Sequence, residues 1–152
     1  MKVKHVVVAL TAFTLSAGAS LALAQAKPEV LVKQRQAAMT LQGKYFGPLA
    51  AMAQGKAPFN GAVVARNAGF LEALSQMPWD GFDAASKGVK SEALPAVYSD
   101  AAKFKLASEN LHAAVGKLVA ASKGSDEAAT KAAIGGVGKT CGGCHDDFRE
   151  KH

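Results

Sequence analysis

The apolar positions of this chain recur in helical steps. From Pro28 to about Gln54, Leu31, Ala38, Tyr45, Leu49 and Met52 follow three- and four-residue spacings or their sums. A second stripe, Val32, Gln36, Met39, Gly43 and Phe46, runs beside the first. Pro28 suits a first helical turn, Gly47-Pro48 predicts a kink or a brief break, and Gly55-Lys56-Ala57-Pro58 ends the segment. A second helix is expected from about Asn60 to Gln76, with Val64, Asn67, Leu71 and Leu74 on one face, Val63 and Phe70 beside them, and Pro78 as the stop. A third opens on Ser99 or Asp100 as its cap, buries Phe104, Ala107, Leu111, Val115 and Leu118, and ends at Lys123-Gly124. A fourth opens on Ser125 or Asp126 and runs to about Lys151.

Between the second and third helices the pattern fails. Trp79 and Phe82 are too apolar for an exposed connection and are expected to fold back onto the helices. Residues 83–99 carry Ser86, Gly88, Ser91 and Pro95 and read as irregular, with a short helical turn near Pro95 to Tyr98. Helix-to-helix connections are usually shorter, so this segment is expected to cross one end or cover something. The whole predicts an all-α fold, an antiparallel four-helix bundle able to house a cofactor between facing helices.

The fourth helix conflicts with its own composition. Gly135, Gly136, Gly138, Gly142 and Gly143 each cost about 1 kcal/mol against alanine in a helix interior. Either Gly135 to Gly138 is a true break, or a rigid cofactor and a close neighbour hold the helix in shape.

The N-terminus belongs to a different class. Lys2 and Lys4 precede an apolar run from Val6 to Leu23, and Ala22-Leu23-Ala24 is a small-x-small cleavage site. Residues 1–24 therefore read as a secretory signal peptide, with a membrane anchor as the alternative, and residues 25–152 as the mature domain. Removing Lys2 and Lys4 lowers the formal charge from +6 to +4. The remaining basic residues are scattered, which argues against a nucleic-acid interface. No second apolar span follows, so no membrane contact is expected after cleavage. Export to the bacterial periplasm is the expectation.

Chemistry concentrates near the C-terminus, where both cysteines of the chain lie in Cys141-Gly142-Gly143-Cys144-His145. Cys-x-x-Cys-His is the attachment signature of a c-type haem. On a helix, Cys141, Cys144 and His145 share one face, so two thioethers and an axial imidazole can reach one flat cofactor. A thiol redox centre normally opens a helix in a βαβ setting, and a structural zinc site needs four ligands. Neither context is present around this motif. No acid–base or nucleophile constellation points to an enzyme. His5, His112 and His152 have no case as iron ligands.

With these residues assembled, the chain resembles the cytochrome c′ family from about Lys27 to Lys151. The resemblance rests on Lys27-Pro28-Glu29, Arg35-Gln36, Gly55-Lys56-Ala57-Pro58-Phe59, Leu74-Ser75-Gln76-Met77-Pro78-Trp79 with Phe82, Ser99-Asp100-Ala101-Ala102-Lys103-Phe104, and Cys144-His145-Asp146-Asp147-Phe148-Arg149. It implies one covalent haem c on Cys141 and Cys144, with His145 as the proximal iron ligand. It implies that Arg35 and Gln36 meet a haem propionate, although Arg35 read alone is a surface charge. Trp79 and Phe82 would pack around the cofactor. Lys90 to Leu94 fall where the family has further contacts, in a loop that departs from its pattern. Arg149 would stand beside the proximal face; read alone, it is a cation near a helix C-terminus. Met39 falls over the other iron face, either as a sixth ligand, as in the low-spin relatives, or as an apolar filler. Ligation would favour electron transfer with redox partner proteins. An open site would favour binding of NO or CO. The resemblance also implies a possible homodimer through the first two helices.

Overall fold

Asn60, Asp100 and Asp126 each start a helix by the same device. Their side-chain oxygens accept the backbone N–H groups of Val63 (3.0 Å), Lys103 (3.2 Å) and Ala129 (2.9 Å), donors that the first helical turn leaves unpaired. The computed structural model describes residues 26–151, so the expected signal peptide lies outside the described residues. The long helices are α1 (Pro28–Ala53), α2 (Gly61–Ser75), α4 (Ala101–Ser122) and α5 (Glu127–Phe148), and the short α3 (Ala96–Ser99) precedes α4. The four long helices form the bundle.

Two alternatives the sequence left open are decided and one boundary moves. Helix α1 continues through Gly47-Pro48 without a break. Helix α5 is unbroken through Gly135 to Gly138, so the interruption allowed there does not occur. It also stops at Phe148, short of Lys151. Arg149 is already extended, with φ −125° and ψ 142°.

The bundle has two unlike halves. At the end holding the α1–α2 and α4–α5 turns, Leu49, Val64, Leu118 and Ile134 are almost fully buried and interlock, one from each long helix. Each such side chain contributes about 1.5–3 kcal/mol by leaving water. Asn67, the polar member of the α2 stripe, is buried because its amide donates to Tyr45 O at 3.1 Å. Gln42 does the same to Leu74 O at 3.1 Å, and together they tie α1 to α2.

Toward the other end the helices part. Trp79–Phe82 and Ala84–Gly88 form two 3₁₀ turns that close this end, and the Trp79 and Phe82 rings stack. Both rings also meet Phe104 edge-on, at 5.9 and 4.8 Å between centroids. His112 has a part here that its isolation in the sequence hid. Its Nε2 lies 2.8 Å from Ser75 O, which also accepts the Trp79 Nε1–H at 2.6 Å. The same Nε2 lies 3.0 Å from Trp79 Nε1: it accepts from Trp79 in the Nδ1–H tautomer and donates to Ser75 O in the Nε2–H tautomer. Trp79 and His112 thus both gather at the last carbonyl of α2. Downstream, the loop is stitched to the end of α5: Leu94 N–H donates to Phe148 O (2.9 Å) and Glu150 N–H to Glu92 O (2.8 Å), around an antiparallel bridge between Ala93 and Arg149.

Candidate haem site

The space where the helices part is a cavity of about 700 Å³, a size typical of cofactor sites. One wall is the C-terminal half of α5, which presents Cys141, Cys144 and His145 together. Another is the second stripe of α1. Gln36, Met39, Gly43 and Phe46 all line the cavity, while Leu49 and Met52 from the first stripe are buried. The two parallel stripes of one helix therefore serve two purposes. Phe104 and Ala107, expected in the core, are only half-buried because they face this cavity from α4.

The cavity's chemistry suits a haem. Burial pushes the thiol of Cys141 up from its ordinary range. Cys144 is raised mainly by burial and further by the charges of Cys141 and Asp147. Both cysteines are free, and no disulfide competes for them. For His145, burial lowers the pKa, the nearby Arg149 cation lowers it further, and Asp146 and Glu92 only partly oppose them. At neutral pH the imidazole is uncharged and keeps the lone pair that binds a metal. The apolar walls, with Phe46, Leu71, Val115 and Val137 among them, fit the faces of a macrocycle. No cluster of three or more His, Cys, Asp or Glu side chains placed to hold a metal ion occurs among the described residues.

Arg35 is not a surface charge. It is 3 % exposed and enclosed by the segment the sequence left irregular. Its Nη1 donates to Gly81 O (2.8 Å), Ser86 Oγ (3.1 Å) and Tyr98 Oη (3.2 Å), and its Nη2 to Ser91 Oγ (2.9 Å). The guanidinium also lies over the Phe82 ring, 4.3 Å from its centroid. Gln36 is exposed at the cavity wall, and Met39 is half-buried there. Ser91, Glu92 and Ala93 reach the cavity from the stretch Lys90 to Leu94. Arg149 lines the cavity too, but from extended backbone instead of the next helical turn. Ser86, Tyr98 and Phe148 were not singled out by sequence reasoning. Phe148 sits inside the terminal motif, which was the available signal. The two hydroxyl residues carry no periodicity that would mark them.

Comparison with known proteins agrees with this geometry. The family model described as Cytochrome C' matches residues 30–149. Cytochrome c′ of Rubrivivax gelatinosus is 50 % identical over 126 residues, covering 82 % of this chain and 98 % of the relative. Its crystal structure matches with a TM-score of 0.78 at 49 % identity, over 82 % of this chain and 98 % of that one. Cytochrome c prime of Shewanella frigidimarina matches with a TM-score of 0.80 at 35 % identity, over 84 % and 99 % of the two chains. A nitric oxide complex of an Alcaligenes xylosoxidans cytochrome c prime variant matches with a TM-score of 0.78 at 38 % identity, over 84 % and 99 %. With a family match across its helices and a relative identical at half its aligned positions, this chain is a member of the cytochrome c′ family, a four-helix-bundle cytochrome with one covalently bound haem c.

Proposed function

We propose that the protein is an exported electron carrier and not an enzyme. Cys141 and Cys144 would hold its haem covalently, and His145 and Met39 would supply ligands to the iron. Residues 1–24 direct export to the periplasm and are then removed, so the mature chain begins at Gln25. The haem supplies a one-electron ferric–ferrous couple. The chain's own residues do the rest. Cys141 and Cys144 fix the macrocycle to α5, and His145 offers a neutral imidazole to one face. Arg35 and Gln36 meet a propionate, with charge pairing from the guanidinium. Trp79, Phe82 and Phe104 keep water from the buried edge, and Arg149 favours the uncharged form of His145. The observation that carries the reading is a thioether, Met39, in the α1 wall of a cavity whose α5 wall holds both thiols and the imidazole.

A second reading is gas binding, with Met39 as packing over an open iron face. It is favoured by the nitric oxide complex of the Alcaligenes xylosoxidans relative. The spectrum of the reduced holoprotein at neutral pH separates the two. A low-spin ferrous haem that becomes high-spin in Met39→Ala, with a lower reduction potential, supports electron transfer through a ligated iron. A ferrous haem that is high-spin before mutation overturns ligation and leaves NO or CO binding as the function. N-terminal sequencing of the periplasmic protein tests the leader, and a start other than Gln25 would refute the assigned cleavage.

A further inference from the structure

We propose that Tyr98 and Ser86 are positioning residues for Arg35, fixing how its guanidinium is presented to the haem carboxylate. The inference rests on the assignment of Arg35 to a propionate made above.

Two independent constraints act on the guanidinium. Its position over the Phe82 ring, at 4.3 Å, restricts its plane. The hydrogen bonds then fix its rotation within that plane. Nη1 has two hydrogens and three oxygens around it. The carbonyl of Gly81 is the shortest contact at 2.8 Å, and the hydroxyls of Ser86 (3.1 Å) and Tyr98 (3.2 Å) share the other side. The direction of this network follows from proton counting. Ser86 has one hydroxyl proton, and its shortest acceptor is Asp83 O at 2.7 Å. The 3.0 Å contact between Ser86 Oγ and Tyr98 Oη must then be donated by tyrosine. Tyr98 in turn accepts from Arg35. Protons therefore point one way, from Arg35 through Tyr98 and Ser86 to the carbonyl of Asp83, the residue between the two 3₁₀ turns.

These contacts occupy Nη1 and one hydrogen of Nη2. A guanidinium has five N–H groups, so Nε–H and one Nη2–H are left over for a carboxylate. Arg35 borders the cavity while being 3 % exposed overall. A cation held in that orientation favours the reduced haem, which carries one positive charge fewer. Loss of the hydroxyls would let the guanidinium rotate and weaken that effect.

The test is the midpoint potential of the holoprotein, measured for Tyr98→Phe, Ser86→Ala, Arg35→Gln and the double variant Arg35→Gln with Tyr98→Phe. Tyr98→Phe and Ser86→Ala should each lower the potential. Tyr98→Phe should have no further effect when Arg35 is already glutamine, because its action passes through the guanidinium. If Arg35→Gln does not fold, Arg35→Lys serves as the reference, since an ammonium lacks the planar fork of a guanidinium. A potential that moves in Arg35→Gln but stays fixed in Tyr98→Phe and Ser86→Ala overturns the positioning role. An equal shift from Tyr98→Phe in both backgrounds overturns it as well. A potential unmoved by Arg35→Gln instead overturns the propionate assignment on which the inference rests. Loss of thermal stability in the hydroxyl variants with an unchanged potential marks them as loop packing only and refutes the proposal.

Discussion

Gly81 occupies a position where a side chain does not fit. A Cβ there would lie 2.8 Å from Arg35 Cβ and 2.9 Å from Leu31 O. The close approach lets Gly81 O reach the guanidinium. Gly81→Ala should therefore cost about 1–3 kcal/mol by forcing α1 and the first 3₁₀ turn apart, read from urea unfolding of the holoprotein. His112 makes a milder case. His112→Phe keeps a ring against Trp79 but removes the ring nitrogen that hydrogen-bonds beside Ser75 O and Trp79 Nε1. The expected loss is about 0.5–1.5 kcal/mol, with the haem spectrum unchanged. Cys141→Ser together with Cys144→Ser should abolish covalent haem retention, because a hydroxyl forms no thioether. Haem staining of a denaturing gel that is as strong as in the unmutated protein would refute the attachment. At this scale the sequence was uneven. The cysteines and His145 were legible because their spacing is the chemistry. Arg35 read alone looked like a surface charge, since its enclosure depends on hydroxyls 51–63 residues away in the chain.

Among the elements, α5 shows how context overrides propensity. Its glycines did not interrupt it, and they differ in what surrounds them. Gly135 is exposed, with nothing within 4 Å of where a Cβ would stand, whereas a Cβ on Gly138 would lie 3.3 Å from Phe46 Cζ. Gly135→Ala should stabilise the protein by about 1 kcal/mol. Gly138→Ala should gain less or lose, because Phe46 must yield. Differential scanning calorimetry on both variants would show the split, and equal gains would refute it. The helices themselves were legible because amphipathic stripes and capping residues are local signals. Segment 79–99 was legible only in part: the turn near Pro95 and the inward-folding Trp79 and Phe82 could be read, but its 3₁₀ turns and its enclosure of Arg35 come from contacts with α1, α4 and α5. The twin stripes of α1 could be seen in the sequence, but nothing local says that one of them faces a cavity.

At the scale of the molecule, the packed half and the open half should differ in what they need. Glycine-rich α5 flanks the cavity, so the haem-free chain should have less helix by far-UV circular dichroism than the holoprotein. Its thiols, raised by burial, should be alkylated slowly at neutral pH, where little thiolate is present. Urea should speed the reaction. Equal rates with and without urea would show that the thiols are not shielded by the fold.

The cavity joins the first long helix to the last. Its α1 wall is made early in the chain and its thiol-bearing wall is made at the end. Neither side can complete the enclosure until almost the whole polypeptide is present. The turn between α4 and α5 is short, so those two helices can pair locally, while α1 must return across the full length of the fold, a slower closure. In that interval Cys141, Cys144 and His145 would stand on an open half-site. A flat macrocycle would meet it from the side, without having to pass the rim of a finished pocket. Docking of α1 and segment 79–99 would then close over a helix already carrying its cargo.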